Sequence, residues 1–125
     1  MCAKSLWGNL KEIEPIKTPK GILEEQGNIL TLSTNGTLEG RISVKTYMDL
    51  FIVKLHIVVP TMNNYTYEIL EVTYPMKLYP LRVNSNFSDR TVECKNEEEY
   101  LKTLEIILSS DGVKEIIQVL ISQVT

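Results

Sequence analysis

Two prolines set five residues apart inside a long β-like block limit this chain more than any other feature. From Leu38 to Val92 the residues are largely branched or aromatic and alternate in polarity. Within that block, "YEILEVTYPMKLYPLRVNSN" (Tyr67 to Asn86) carries Pro75 and Pro80, each preceded by a tyrosine. Proline donates no ladder hydrogen bond, so it belongs at the edge or the end of a strand. Pro75 is therefore expected to close one strand and Pro80 to open the next. Both rings fix φ and hold Tyr74 and Tyr79 extended. The expected product is a stiff connection in which tyrosine rings can stack on proline.

The rest of the block supplies the strands. "GRISVKTY" and "DLFIVKLHIVVP" are rich in β-branched residues, with Phe51, Val53, Leu55, Ile57 and Val59 on one face and Lys54 and His56 on the other. "TMNNY" reads as a turn, since Asn63 and Asn64 tolerate positive φ. "YTYEILEVTY" is a third strand and "LRVNS" a fourth, and "RTVEC" could add a short fifth. Connections this tight imply an antiparallel meander.

Helical periodicity flanks the block. Thr18 caps and Pro19 opens a helix on which Ile22, Leu23, Gln26, Ile29, Leu30 and Ser33 share a face, and Asn35-Gly36 stops it. Gly27 weakens that helix by about 1 kcal/mol against alanine, which predicts a close neighbour at that point. Asn96 caps "EEEYLKTLEIILSS", whose three leading glutamates suit the positive helix start. Ser110 or Asp111 then caps a last helix carrying Val113, Ile116, Ile117, Leu120, Ile121 and Val124. The expected class is α+β: an N-terminal helix, a four-stranded antiparallel meander and two C-terminal helices, in one domain spanning 18–125 behind an arm at 1–17. Leu6, Trp7, Leu10, Ile13 and Ile16 make that arm apolar, and it is expected to pack back on the body.

Composition narrows the function. A net charge of −3 and a pI near 5.2 argue against a nucleic-acid binder, and no apolar run is long enough for a membrane span. "MCAKSLWGNL" has no secretory core, so a cytoplasmic location is expected, with Cys2 and Cys94 reduced. One histidine and two cysteines make no metal cluster, and "NEEEY" lacks the alternating oxygens of a calcium loop. No phosphate-binding glycine pattern or nucleophile elbow occurs, so no cofactor is expected. His56 has Lys45 and Lys54 as neighbours, and only Asp49 or Glu68 could serve it as an acid from across the strands.

The element order, with "YPMKLYP" before the fourth strand and "VVPTMNNYTYEILEV" leading into it, resembles the ubiquitin-conjugating fold and its non-catalytic relatives, the RWD domains. The likeness runs from about Pro19 to the C-terminus, with Tyr79 standing where the family pattern has the first of two prolines. It implies a non-catalytic domain that binds another protein, with Tyr74, Pro75, Tyr79 and Pro80 as contact residues on a low-entropy surface. A second reading follows from the same likeness. Cys94 would be the thioester-forming nucleophile of a ubiquitin-like-protein transferase, with Asn86, eight residues earlier, as oxyanion donor. Against it, Asn84 and Ser85 replace the family's His-Pro, and no tryptophan follows Cys94. A third reading is a small-ligand binder in a cleft between sheet and helices.

Overall fold

The computed structural model describes residues 4–87 and 90–125. Cys2 lies outside them. Helix α1 (Pro19–Ser33) begins where Thr18 Oγ1 accepts the Gly21 N–H at 3.1 Å. It ends at Asn35 and Gly36, both at positive φ (53° and 81°). The strands follow in order: β1 (Glu39–Tyr47), β2 (Leu50–Val59), β3 (Tyr65–Pro75), β4 (Leu81–Ser85) and β5 (Val92–Cys94). Helices α2 (Glu97–Leu108) and α3 (Asp111–Val124) complete the chain. Asn63 and Asn64 both take positive φ in the β2–β3 turn, as their side chains allow. Among the described residues no helix is long and apolar enough to cross a membrane.

The sheet is one antiparallel meander of five strands, order β1-β2-β3-β4-β5, rather than the four expected. The fifth strand is real but short. Val92 pairs with Val83 and Cys94 with Leu81, and this register turns Leu81, Val83 and Cys94 into the core. Three residues are too few to display a period in sequence.

A second departure lies in β3. His56 faces Glu68 and Leu55 faces Leu70, so Ile69 is an extra residue bulged out of the ladder. The bulge resets the alternation, and the adjacent Ile69 and Leu70 are both buried as a result.

The helices cover one face of the sheet around a single core that joins Ile22 and Leu23 of α1, the inward residues of all strands after β1, and Tyr100, Leu104, Ile107, Val113 and Leu120. Gly27 of α1 and Gly40 of β1 lie backbone against backbone. A Cβ added to Gly27 would lie 2.9 Å from the Gly40 carbonyl oxygen. Thr31 ties the two elements there, its hydroxyl donating to the Gly27 carbonyl (3.1 Å) and accepting the Gly40 N–H (3.0 Å). The arm behaves otherwise than expected. Apart from one 3-10 turn at Leu10–Glu12, residues 4–17 are irregular, and every one of them is exposed. Leu6, Trp7, Leu10, Ile13 and Ile16 therefore stay open to water instead of packing back on the body.

Candidate functional site

The Tyr-Pro steps deliver tyrosine to the interior. Pro75 closes β3 and Pro80 directly precedes β4 through a cis Tyr79–Pro80 bond. Between them the Leu78 N–H donates to the Pro75 carbonyl at 2.8 Å, with Leu78 at φ 75°. Tyr74 is buried and its ring stacks on Phe51 across the β2–β3 pair, centroids 5.4 Å apart, rather than on proline. Desolvation raises its phenol pKa, opposed by a hydrogen bond from the Lys20 backbone and by the Lys20 charge. Tyr100 of α2 is fully buried and donates to the Pro19 carbonyl at 3.0 Å. Its pKa is also driven far up by burial. Two phenols therefore hold the first turn of α1 against sheet and α2. Tyr79 is half-buried, its pKa raised by desolvation and then by Glu97, and its hydroxyl finds no hydrogen-bond partner among the described residues.

Cys94 sits beside this tyrosine cluster, fully buried at the end of β5. Its thiol donates to the Thr103 hydroxyl at 3.4 Å. Burial pushes the thiol pKa up, Thr103 draws it back, and Glu99 raises it further. Burial and the net raised pKa oppose what a nucleophile needs, which is access and a depressed pKa. The oxyanion partner is also misplaced. Cys94 faces Leu81 at the start of β4, whereas Asn86 follows the end of β4 and is exposed. Five residues of strand separate the two positions, roughly 16 Å at 3.3 Å per residue. The structure does not bring Cys94 and Asn86 together.

The outward side of the Tyr-Pro connection has a different character. Leu50, opening β2, pairs with Pro75, closing β3, so the β1–β2 hairpin tip lies against the connection. Met48, 84% exposed at φ 55°, and Met76, 77% exposed, line one shallow depression with Thr46, Asp49, Leu50 and Phe51. Tyr47 is exposed beside it. Helix α1 covers only the start of β1, so Val44 and Thr46 are left open. This juxtaposition depends on strand register, and no local motif announces it. Of the expected contact residues, Tyr74 belongs to the core, Pro75 and Tyr79 are half-buried, and Pro80 is exposed.

A second depression lies between α1 and the C-terminal helices. It holds about 220 Å³, floored by Leu55, Ile57 and Ile69 and walled by Gln26, Ile29, Leu30, Ser33, Leu108, Val113 and Ile117. That is below the roughly 300–1,000 Å³ of pockets that enclose drug-sized ligands, and Gln26 and Ser33 are its only polar side chains. On the far face of the sheet, Ser43 Oγ lies 3.1 Å from His56 Nε2, and His56 Nδ1 is buried with no partner among the described residues. Glu68, opposite His56, pairs instead with Lys54 at 3.3 Å, and Asp49 is in the distant hairpin tip, so no acid orients the imidazole. Among the described residues no group of three or more His, Cys, Asp or Glu is placed to hold a metal ion. Compared with protein-family models, with curated proteins and with solved structures, the chain gives no match.

Proposed function

We propose that this chain is a non-catalytic protein-interaction domain of the ubiquitin-conjugating/RWD-like kind, docking its partner on the exposed apolar end of the sheet. The observation that carries the reading is the contiguity of Met48, Leu50 and Met76 around one depression, set by the pairing of Leu50 with Pro75. Thioether side chains adapt to a partner's contour, and the connection behind them is stiff, so contact costs little ordering of the backbone. Helix–sheet–helix order and a Tyr-Pro connection between β3 and β4 support the family likeness. The burial of Cys94 and its separation from Asn86 favour this reading over thioester chemistry.

The test compares the wild-type chain with a Met48→Asp/Met76→Asp variant in photo-crosslinking from native lysate. Both side chains are exposed, so the variant should melt within a few degrees of wild type while its partner adducts fall about tenfold or more. Equal capture by both chains, or no protein adduct at all from wild type, contradicts the proposal.

A further inference from the structure

β1 is an edge strand of nine residues, paired with β2 on one side only. Helix α1 completes the start of its free side. The Leu38 N–H donates to Thr34 Oγ1 at 3.1 Å, and the Thr34 hydroxyl donates to the Leu38 carbonyl at 2.9 Å. The Gly40 N–H donates to Thr31 Oγ1 at 3.0 Å. Even-numbered residues of β1 therefore turn their backbone groups away from β2, because successive strand residues alternate in direction. Past Gly40 the helix leaves the edge. Ile42, Val44 and Thr46 then point N–H and C=O outward, and no side chain among the described residues takes the place of the two threonines. The usual protections of an edge are missing from this half. It has no proline, its pairing with β2 runs from Glu39 to Tyr47 without a bulge, and its three helix-side residues are uncharged.

We infer that the free half of β1 pairs antiparallel with β1 of a second copy about a two-fold axis at Val44, joining two meanders into one continuous sheet. Backbone direction and charge together choose the register. The outward groups bond only where even-numbered residues oppose each other. An axis at Ile42 sets Val44 against Gly40, whose N–H Thr31 already holds. An axis at Ser43 opposes Arg41 to Lys45, and one at Lys45 opposes lysine to lysine, both destabilising cross-strand pairs. The axis at Val44 has neither fault. Ile42 then bonds Thr46 of the second copy, and Val44 bonds Val44. Lys45 faces Ser43, and Arg41 faces Tyr47, a cation against an aromatic ring. On the helix side Ile42, Val44 and Thr46 continue the row of Leu55, Val53 and Phe51, and meet their counterparts as β-branched pairs. This self-complementarity is what an interface between two identical copies requires, and it names the second copy as occupant. Edge pairing over so short a segment buries less than the roughly 1,200 Å² of tight complexes, so the dimer should be weak, with Kd on the order of 10–100 µM.

The experiment follows sedimentation equilibrium of the full chain from low-micromolar to several-hundred-micromolar concentration, over which mass should double. Val44→Pro removes the outward N–H at the axis and leaves the ladder to β2 intact, a position where an edge strand accepts proline. It should weaken self-association roughly tenfold or more with an unchanged circular dichroism spectrum. Register is read by cysteine crosslinking in a Cys2→Ser background, where the remaining Cys94 is buried. Val44→Cys brings two axial Cα atoms about 5.5 Å apart, within disulfide reach, and should give a covalent dimer on mild oxidation. Ser43→Cys leaves its two copies roughly 8 Å apart and should crosslink about tenfold more slowly or not at all. Should Val44→Pro fail to fold, the two cysteine variants still decide. Three results overturn the inference: a monomer throughout the range, a dimer that a folded Val44→Pro leaves unchanged, or Ser43→Cys crosslinking as fast as Val44→Cys.

Discussion

Gly27 and Gly40 meet where α1 crosses β1, and substituting each with alanine should give unequal losses. A Cβ on Gly40 would lie 2.3 Å from Gly27 Cα and 2.4 Å from its carbonyl oxygen, with backbone on both sides of the clash. Carbon atoms in contact normally sit about 3.5–4.0 Å apart, so α1 would have to lift by more than an ångström. That lift stretches both hydrogen bonds of Thr31, which bridges Gly27 and Gly40. Overpacking costs roughly 1–3 kcal/mol and the weakened bonds about 1 kcal/mol more, so Gly40→Ala should destabilise by about 3 kcal/mol. Gly27→Ala has a smaller overlap, 2.9 Å to the Gly40 oxygen. It also recovers about 1 kcal/mol of helix propensity. Its net loss should be about 1 kcal/mol. Urea unfolding followed by far-ultraviolet circular dichroism measures both, with the slope unchanged if only the native state is affected. If Gly40→Ala matched wild type, or Gly27→Ala gained the full helix-propensity increment, the close approach of α1 to β1 would be refuted.

The two phenols of the connection and α2 should respond oppositely to loss of the hydroxyl. Tyr100→Phe leaves the Pro19 carbonyl without its donor and should cost about 1–2 kcal/mol in urea unfolding, whereas Tyr79→Phe, whose hydroxyl is buried without a partner among the described residues, should be neutral or stabilising. Stability should fall in alkali. Burial raises the pKa values of Cys94, Tyr74, Tyr79 and Tyr100, so the unfolded chain loses these protons first. Their contribution is complete below the ordinary thiol and phenol values and is lost as pH climbs through them toward the raised folded values. Denaturant midpoints that stay flat through this alkaline range would contradict the burial. Met48 holds a left-handed backbone at the hairpin tip, so Met48→Gly should stabilise by about 1 kcal/mol in thermal unfolding while weakening capture of the partner.

Much of this architecture is written locally. Thr18 before Pro19, Asn35-Gly36, Asn63-Asn64 and Asn96 mark boundaries because each makes a short-range bond or takes a positive φ that its own side chain permits. Gly27 signalled its close neighbour through the propensity it gives up. What local pattern did not reveal depends on register. The bulge at Ile69 shows in sequence only as two apolar residues between Glu68 and Glu71, and β5 is three residues long. The partner of the Tyr100 hydroxyl is 81 residues away. Spacing was most misleading at Cys94 and Asn86. A separation of eight residues suggests proximity, but the chain reverses between β4 and β5 and leaves them at opposite ends of β4. The five apolar residues of the arm imply burial without saying against what, and the structure leaves them exposed.

The proposed interaction role leaves Cys94 a packing residue and not a nucleophile. Alkylation of Cys94 in a Cys2→Ser variant near neutral pH tests this most directly. Buried under α2 with its pKa raised, Cys94 should react only as fast as the domain opens, orders of magnitude more slowly than the same chain in denaturant. Modification at the rate of a free, exposed thiol, under conditions where the fold is intact, would contradict it.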